Sequence, residues 1–432
     1  MENLKQAAKY TLDALINGGA DSAQVSVSEG KIEEFNVDAG DFSLIRSVFN
    51  SGLAAKVIKN KRKGTVSLNQ LDKEAIDIAV AECLAAADAS VEDDALSIAT
   101  KEENCDFVDG VLVPDKSVFF DSIIKFCDDI ERDYPEIMLE QLIATYSYGK
   151  HVVMNTNGVE FTEEDGAYNI SVMYSAHKGD ESTSFNYFDV DFLDPASDIM
   201  EFDMVRINFE RAVKELDAQS FEGKFEGVAV FAPACFGDIL STVMGSFAGD
   251  FALIEGTSPW KNSLGKEVAG KDFTLKVIPH SERIVCGENI TSDGYKSQDY
   301  CIINKGVLES FCLTEYASRK TGLKRSPSTS SCIEVTAGER SFDEIVASID
   351  KGILVCRFSG GEPANNGDFS GVAKNSFLIE NGKVTKPLTE TMISGNIAAM
   401  LKNVYAISKE TVCDGSSVLP YAAFNGVTVS GK

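Results

Sequence analysis

The sequence predicts an α+β fold: an N-terminal mixed helix and antiparallel-sheet region, then a β-rich C-terminal region. Three observations predict it. Strand-period segments outnumber helix-period ones, the two kinds do not alternate as regular βαβ units, and the hydrophobic period changes in blocks along the chain. At 432 residues the chain is too long for one compact core. The blocks divide it into residues 1–220 and 221–432, with a sub-boundary expected in the polar connector 88–115.

Residues 4–17 read as a helix, because Leu4, Ala8, Leu12 and Leu15 recur at helical spacing and Gly18-Gly19 ends the run. Ala23, Val25 and Val27 then alternate as on a strand. Lys31–Val37, Phe42–Phe49, Leu53–Ile58 and Thr65–Leu68 read as further extended segments. The basic cluster Lys59-Asn60-Lys61-Arg62-Lys63-Gly64 reads as a solvated hairpin turn rather than a phosphate site. Asp72 is placed to cap a helix carrying Ile76, Ala79, Val80, Cys83 and Leu84. After the polar stretch 88–115 a third helix carries Phe119, Ile123, Cys127 and Ile130, and Pro135 stops it.

From residue 138 the period is two. Leu142–Tyr146, Val152–Asn155, Tyr168–Tyr174 and Ser184–Phe192 alternate like an antiparallel sheet, with Asn157-Gly158 as a turn. A helix near 203–217 closes this half. The second half opens with strand Phe225–Phe231 and a helix started by Pro233 and running to about Phe247. Short strands follow, among them Leu275–Ile278 and Ile353–Phe358. Turns are expected at Asn304-Lys305-Gly306, Asn381-Gly382 and Asn425-Gly426. Ser341 with Glu344 forms a capping box that opens a short helix, ended by Gly352.

Composition excludes several functions. Forty basic against 67 acidic residues give a net charge of −27, which a phosphate backbone or an anionic membrane surface repels. No apolar run reaches the roughly 18–20 residues of a membrane span. Met1–Tyr10 has no signal-peptide core, so a cytoplasmic location is expected. None of the 10 cysteines forms a Cys-x-x-Cys pair, and each reads as a buried, reduced thiol. Only three histidines are present, His151, His177 and His280, and no two can share a helix face. Phosphate-loop, dinucleotide, Gly-x-Ser-x-Gly and His-Glu-x-x-His motifs are all missing. Ser359-Gly360-Gly361-Glu362 reads as a loop needing special backbone angles; Gly360 and Gly361 are kept as weak candidates for a cleft role.

An ordered set of segments carries a family resemblance. It comprises Gly19–Val25, Gly52–Ile58 with Gly64–Ser67, Ala212–Ala218, Gly227–Pro233, Phe377–Val384, Ile393–Asn396 and Gly426–Gly431. In this order and spacing the whole chain resembles the TldD/PmbA family, the "modulator of DNA gyrase" proteins. The resemblance implies a two-subunit metalloprotease that processes or degrades peptides, such as a microcin precursor or an antitoxin. Its TldD-type subunit carries zinc on a His-Glu-x-x-x-His helix with a later cysteine, and its PmbA-type (TldE) subunit lacks those ligands.

In the family register Ser241 and Ser246 stand where the two histidines would be, and Thr242 stands where the glutamate would be. Gly245, Gly256, Thr257 and Ser258 keep the pattern around them. Hydroxyls are poor substitutes for imidazole at zinc, and the water-activating carboxylate is replaced too. No cofactor or metal is therefore expected in this chain. Cys413 lies near the family's cysteine ligand and reads as a packing residue. His280 reads as a surface or structural histidine; it and Cys413 join Gly360 and Gly361 as candidates for a cleft role. By resemblance the partners are a TldD-type catalytic subunit in a heterodimer, a second copy when the chain is alone, and an extended peptide. Two other readings stay open: a hydrolase in its own right, using a nucleophile such as Cys413 or Ser241 or an unrecognised metal site, and a regulatory binding protein of the gyrase or antitoxin system.

Overall fold

The computed structural model describes residues 1–361 and 363–432 and is α+β, as the block pattern predicts. The first half runs α1 (Glu2–Asn17), β1 (Ser22–Asp38), β2 (Asp41–Lys59), β3 (Arg62–Leu68), α2 (Lys73–Ala89), β4 (Cys105–Gly110), α3 (Lys116–Asp133), β5 (Ile137–Asn155), β6 (Glu160–Lys178), β7 (Glu181–Ser182), β8 (Asn186–Phe192) and α4 (Val205–Glu215). Its sheet is ordered β3-β2-β1-β5-β6-β4, and β7 and β8 also pair with β6. Leu4, Ala8 and Leu15 of α1 join Ile76, Val80 and Cys83 of α2 over β1–β3. Phe119, Ile123 and Phe126 of α3 join Phe209 of α4 over β5, β6 and β8.

Local signals place the helices well. Asp72 accepts the Ala75 N–H, and Pro135 follows the end of α3. Asn60 and Lys61, both at positive φ, make the tight turn between β2 and β3. Strand lengths differ from the sequence reading. The segments at 23–27 and 31–37 are one strand, as are those at 42–49 and 53–58. Main-chain pairing continues through Ser28-Glu29-Gly30 on both sides, so a polar interruption does not break the ladder. The stretch 88–115 is not only a connector. Within it β4 pairs parallel to β6, and Phe107 meets Phe161 at 6.3 Å between ring centroids. This sheet is therefore not wholly antiparallel.

The second half runs β9 (Gln219–Ser220), β10 (Lys224–Phe231), α5 (Pro233–Thr242), α6 (Asp250–Ile254), β11 (Leu275–Val277), β12 (Tyr300–Asn304), β13 (Val307–Leu308), α7 (Glu315–Thr321), β14 (Ile333–Val335), α8 (Phe342–Ala347), β15 (Lys351–Ser359), β16 (Asp368–Glu380), β17 (Lys383–Thr389), β18 (Thr391–Asn396), α9 (Ile397–Lys402), β19 (Val404–Cys413) and β20 (Val418–Ser430). The pairings β10·β15, β15·β16, β16·β18, β18·β20 and β20·β10 return to their start, so these five strands close a barrel. Closure removes the exposed edges an open sheet would leave. Its core holds Phe231, Phe236, Phe247, Trp260, Phe273 and Phe424.

Several of these strands are longer than the sequence suggested, because β16 and β20 have 13 residues each. Asn425-Gly426 is not a turn. It lies inside β20, where the register with β10 shifts and Gly426 takes φ 80°, which makes it a bulge. The capping box forms as expected, but α8 ends at Ala347, and Gly352 lies inside β15. Cys286 departs from the buried-thiol reading, since it is exposed. Among the described residues, no helix is long and apolar enough to cross a membrane.

Candidate functional site

Helix α5 organises the site. Pro233 sits in its first turn, and the Ala232 N–H donates to the Val355 carbonyl of β15, which fixes the helix start against the barrel. Cys235, Phe236 and Leu240 are buried in the core. Gly237, Asp238 and Ser241 line a cavity of about 390 Å³ at the seam between the two halves. After Thr242 the helix widens into a π turn, Val243–Phe247. Bonding from i to i+5 brings residues five apart towards one side. Ser241 and Ser246 accordingly line the same second cavity, of about 550 Å³, together with Thr242 and Gly360. The two cavities meet at Cys235, Asp238 and Ser241, forming one cleft.

The sequence-level candidates divide as follows. Ser241, Thr242, Ser246, Gly360 and Cys413 come together in this cleft. His280 lines neither cavity; it is exposed, with Nε2 3.0 Å from the Ser297 carbonyl. Gly361 also lies outside the lining, and its role is backbone shape. It takes φ 69°, and a Cβ there would meet the Ser370 carbonyl oxygen at 1.8 Å. Glu362, the last residue of that loop, lies outside the described residues. Cys413 ends β19, donates its thiol to the Arg283 carbonyl at 3.1 Å, and donates its N–H to the Asp203 carboxylate at 3.3 Å.

The other wall was not foreseen from sequence. Tyr187, Phe188, Asp189 and Val190 of β8 line the first cavity. β8 pairs with β6 on one side only. The Asp191 N–H turns away from β6 and donates to the Asp414 carbonyl at 2.8 Å. Strand alternation turns the N–H and C=O of Asp189 and Tyr187 the same way, towards the cleft. Among the described residues neither makes a main-chain bond outside its ladder. The floor is polar. Arg357 donates to Ser184 Oγ at 2.9 Å and stacks on Phe185 at 4.9 Å. Asn375 holds Asn186 at 3.2 Å and presents a carbonyl oxygen with no partner. Burial pushes the Tyr174 hydroxyl and the Cys235 and Cys356 thiols up, so all three stay protonated at neutral pH.

These donors do not fit a zinc ion. Hydroxyls stand at 241, 242 and 246, and Ser241 Oγ donates back to the Gly237 carbonyl at 3.1 Å. Among the described residues, no three His, Cys, Asp or Glu side chains stand together as a metal site, and no histidine lines either cavity.

Comparison with known proteins places this architecture. Residues 226–431 match the model of the PmbA/TldA metallopeptidase C-terminal domain, and residues 23–87 match that of domain 1. The chain is 24% identical to Metalloprotease PmbA of Escherichia coli O157:H7, over 96% of this chain and 95% of that protein. It is also 24% identical to a PmbA homolog of Haemophilus influenzae, over 95% and 92%. Its fold superposes on TldE from Thermococcus kodakarensis with TM-score 0.83 at 19% identity, covering 99% and 100% of the two chains. A Bacteroides thetaiotaomicron protein described as a modulator of DNA gyrase superposes with TM-score 0.85 at 22% identity, covering 99% of each. The chain belongs to the PmbA/TldD family.

Proposed function

We propose that this chain is a PmbA/TldE-like, non-catalytic subunit that holds an extended peptide for a TldD-type zinc partner. The observation that carries the reading is α5: its π turn sets residues 241 and 246 on one cavity, yet hydroxyls stand at those positions. The frame for a metal helix is kept without donors suited to zinc. The cleft offers instead a strand edge. The main-chain groups of Tyr187 and Asp189 suit an added strand, with alternate peptide side chains entering the cleft.

Peptide binding to the purified chain, followed by fluorescence anisotropy, tests this. Tyr187→Pro removes one main-chain donor at an exposed position and should weaken binding at least about tenfold, the scale of one lost hydrogen bond to a strand partner. Hydrolysis is expected only on mixing with a TldD-type subunit. Cleavage by the single chain in a chelator would sink the non-catalytic reading.

A further inference from the structure

The floor of the first cavity holds a relay of side chains that fix one another's orientation. Glu215 of α4 accepts the Asn375 N–H at 3.2 Å through one oxygen and the Asn186 amide nitrogen at 3.4 Å through the other. Asn186 must then turn its carbonyl the opposite way, where it receives the Asn375 amide nitrogen at 3.2 Å. The Asn375 carbonyl oxygen is left over, and among the described residues it has no partner. Asn375 is 5% exposed and lines the cavity, so the floor presents a buried acceptor. Its backbone is also unusual: Asn375 takes φ 43°, a left-handed conformation inside β16.

A buried donor stands beside this acceptor. Arg357 of β15 pairs across the ladder with Lys374, the residue before Asn375, and it lines the same cavity. Its Nη2 donates to Ser184, two residues from Asn186, while its Nε–H has no partner among the described residues. A guanidinium can only donate, so that N–H needs an acceptor. Buried polar groups are rarely left unpaired in native proteins, and here a donor and an acceptor are orphaned in one floor. The groups that reach this floor are side chains. Asn186 and Phe188 leave β8 on the face carrying α4, since Phe188 meets Phe209 at 6.2 Å between ring centroids. A strand added to β8 engages Tyr187 and Asp189 with its main chain and sends alternate side chains to that face.

We propose that this floor is a subsite for a primary carboxamide side chain, glutamine or asparagine, of the bound peptide. The proposal rests on the strand-edge reading above and adds its specificity. The amide carbonyl accepts the Arg357 Nε–H, and the amide nitrogen donates to the Asn375 carbonyl oxygen. Other side chains leave a fault. A carboxylate answers Arg357 but sets its second oxygen against the Asn375 carbonyl. An ammonium answers Asn375 but meets the guanidinium. An apolar side chain leaves both groups buried and unpaired.

Fluorescein-labelled peptides with a free C-terminus, alternating Thr with one guest residue, test this. Every second side chain is then the guest, whatever the register. By anisotropy on the full chain, the Gln peptide should bind at least about tenfold more tightly than its Met and Glu counterparts, or the Asn peptide than its Leu and Asp counterparts. Asn375→Gly removes the acceptor and suits the left-handed φ, and Arg357→Lys removes Nε but keeps the charge. Each should abolish the preference, with folding checked by circular dichroism. A preference unchanged in both variants would overturn the proposal. Equal binding of all guests, still weakened by Tyr187→Pro, would overturn the subsite and leave the strand edge standing. Binding of no guest peptide would overturn both.

Discussion

Glu33 is nearly buried in the middle of β1. Burial alone would raise its carboxyl, but the ammonium groups of Lys116 and Lys31 and the hydroxyl of Ser47 outweigh it and hold the group at about 2. A carboxyl held below its ordinary value stabilises the fold above about pH 4.5 and loses that contribution as pH falls towards 2. Glu33→Gln should cost about 1–2 kcal/mol at pH 7, less than the full shift implies because both lysines are partly exposed. The difference from wild type should shrink in urea melts as pH falls to 3. An equal cost at every pH would refute the assignment.

Arg325 and Asp293 form the other informative pair. The guanidinium grips the carboxylate at 2.6 and 2.9 Å and lies 4.0 Å from the centre of the Tyr295 ring. Arg325→Ala leaves a buried carboxylate without its cation and should cost about 3 kcal/mol in the same melts. The Lys116 and Ser47 contacts of Glu33 and the Arg325 pair were not legible in sequence, because they join residues well separated along the chain. Asp293 stands 32 residues from Arg325 in the chain.

At the scale of elements, what is local was legible. Ser341 accepts the Glu344 N–H at 3.1 Å while Glu344 accepts the Ser341 N–H at 2.7 Å, as the spacing predicts. Ser341→Ala should cost about 1 kcal/mol. Gly361→Ala should cost more, because its Cβ would strike a carbonyl of β16 and its φ is left-handed. The helix after Pro233 was also legible, but its π turn was not, and that turn decides which cavity Ser246 faces. Ser241→His with Thr242→Glu and Ser246→His should bind zinc at least about tenfold more tightly than wild type, measured by competition with a chelating dye. No gain would show that the helix no longer carries the metal geometry. Asn425-Gly426 misled, because the same dipeptide serves a turn or a bulge, and the neighbouring strand chooses.

At the scale of the molecule, a charge of −27 makes the folded chain repel itself. Salt screens exposed charges over about 10 Å at 0.1 M, so raising NaCl from low concentration should raise the melting temperature by a few degrees in calorimetry. A flat or falling response would mean that the surface ion pairs, such as Lys59 with Asp88, outweigh the repulsion.

The sequence by itself determined helices α1–α5 and α8, the caps at Asp72 and Ser341, the α+β class and the family, because local periodicity, capping residues and an ordered set of short segments carry them. Tertiary structure alone decided that Ser241 and Cys413 share a cleft and that β8 offers it a main-chain edge. It also decided that five distant strands close into a barrel. Those contacts join residues tens to hundreds of positions apart, where pairing partners and packing, rather than local periodicity, set which groups meet.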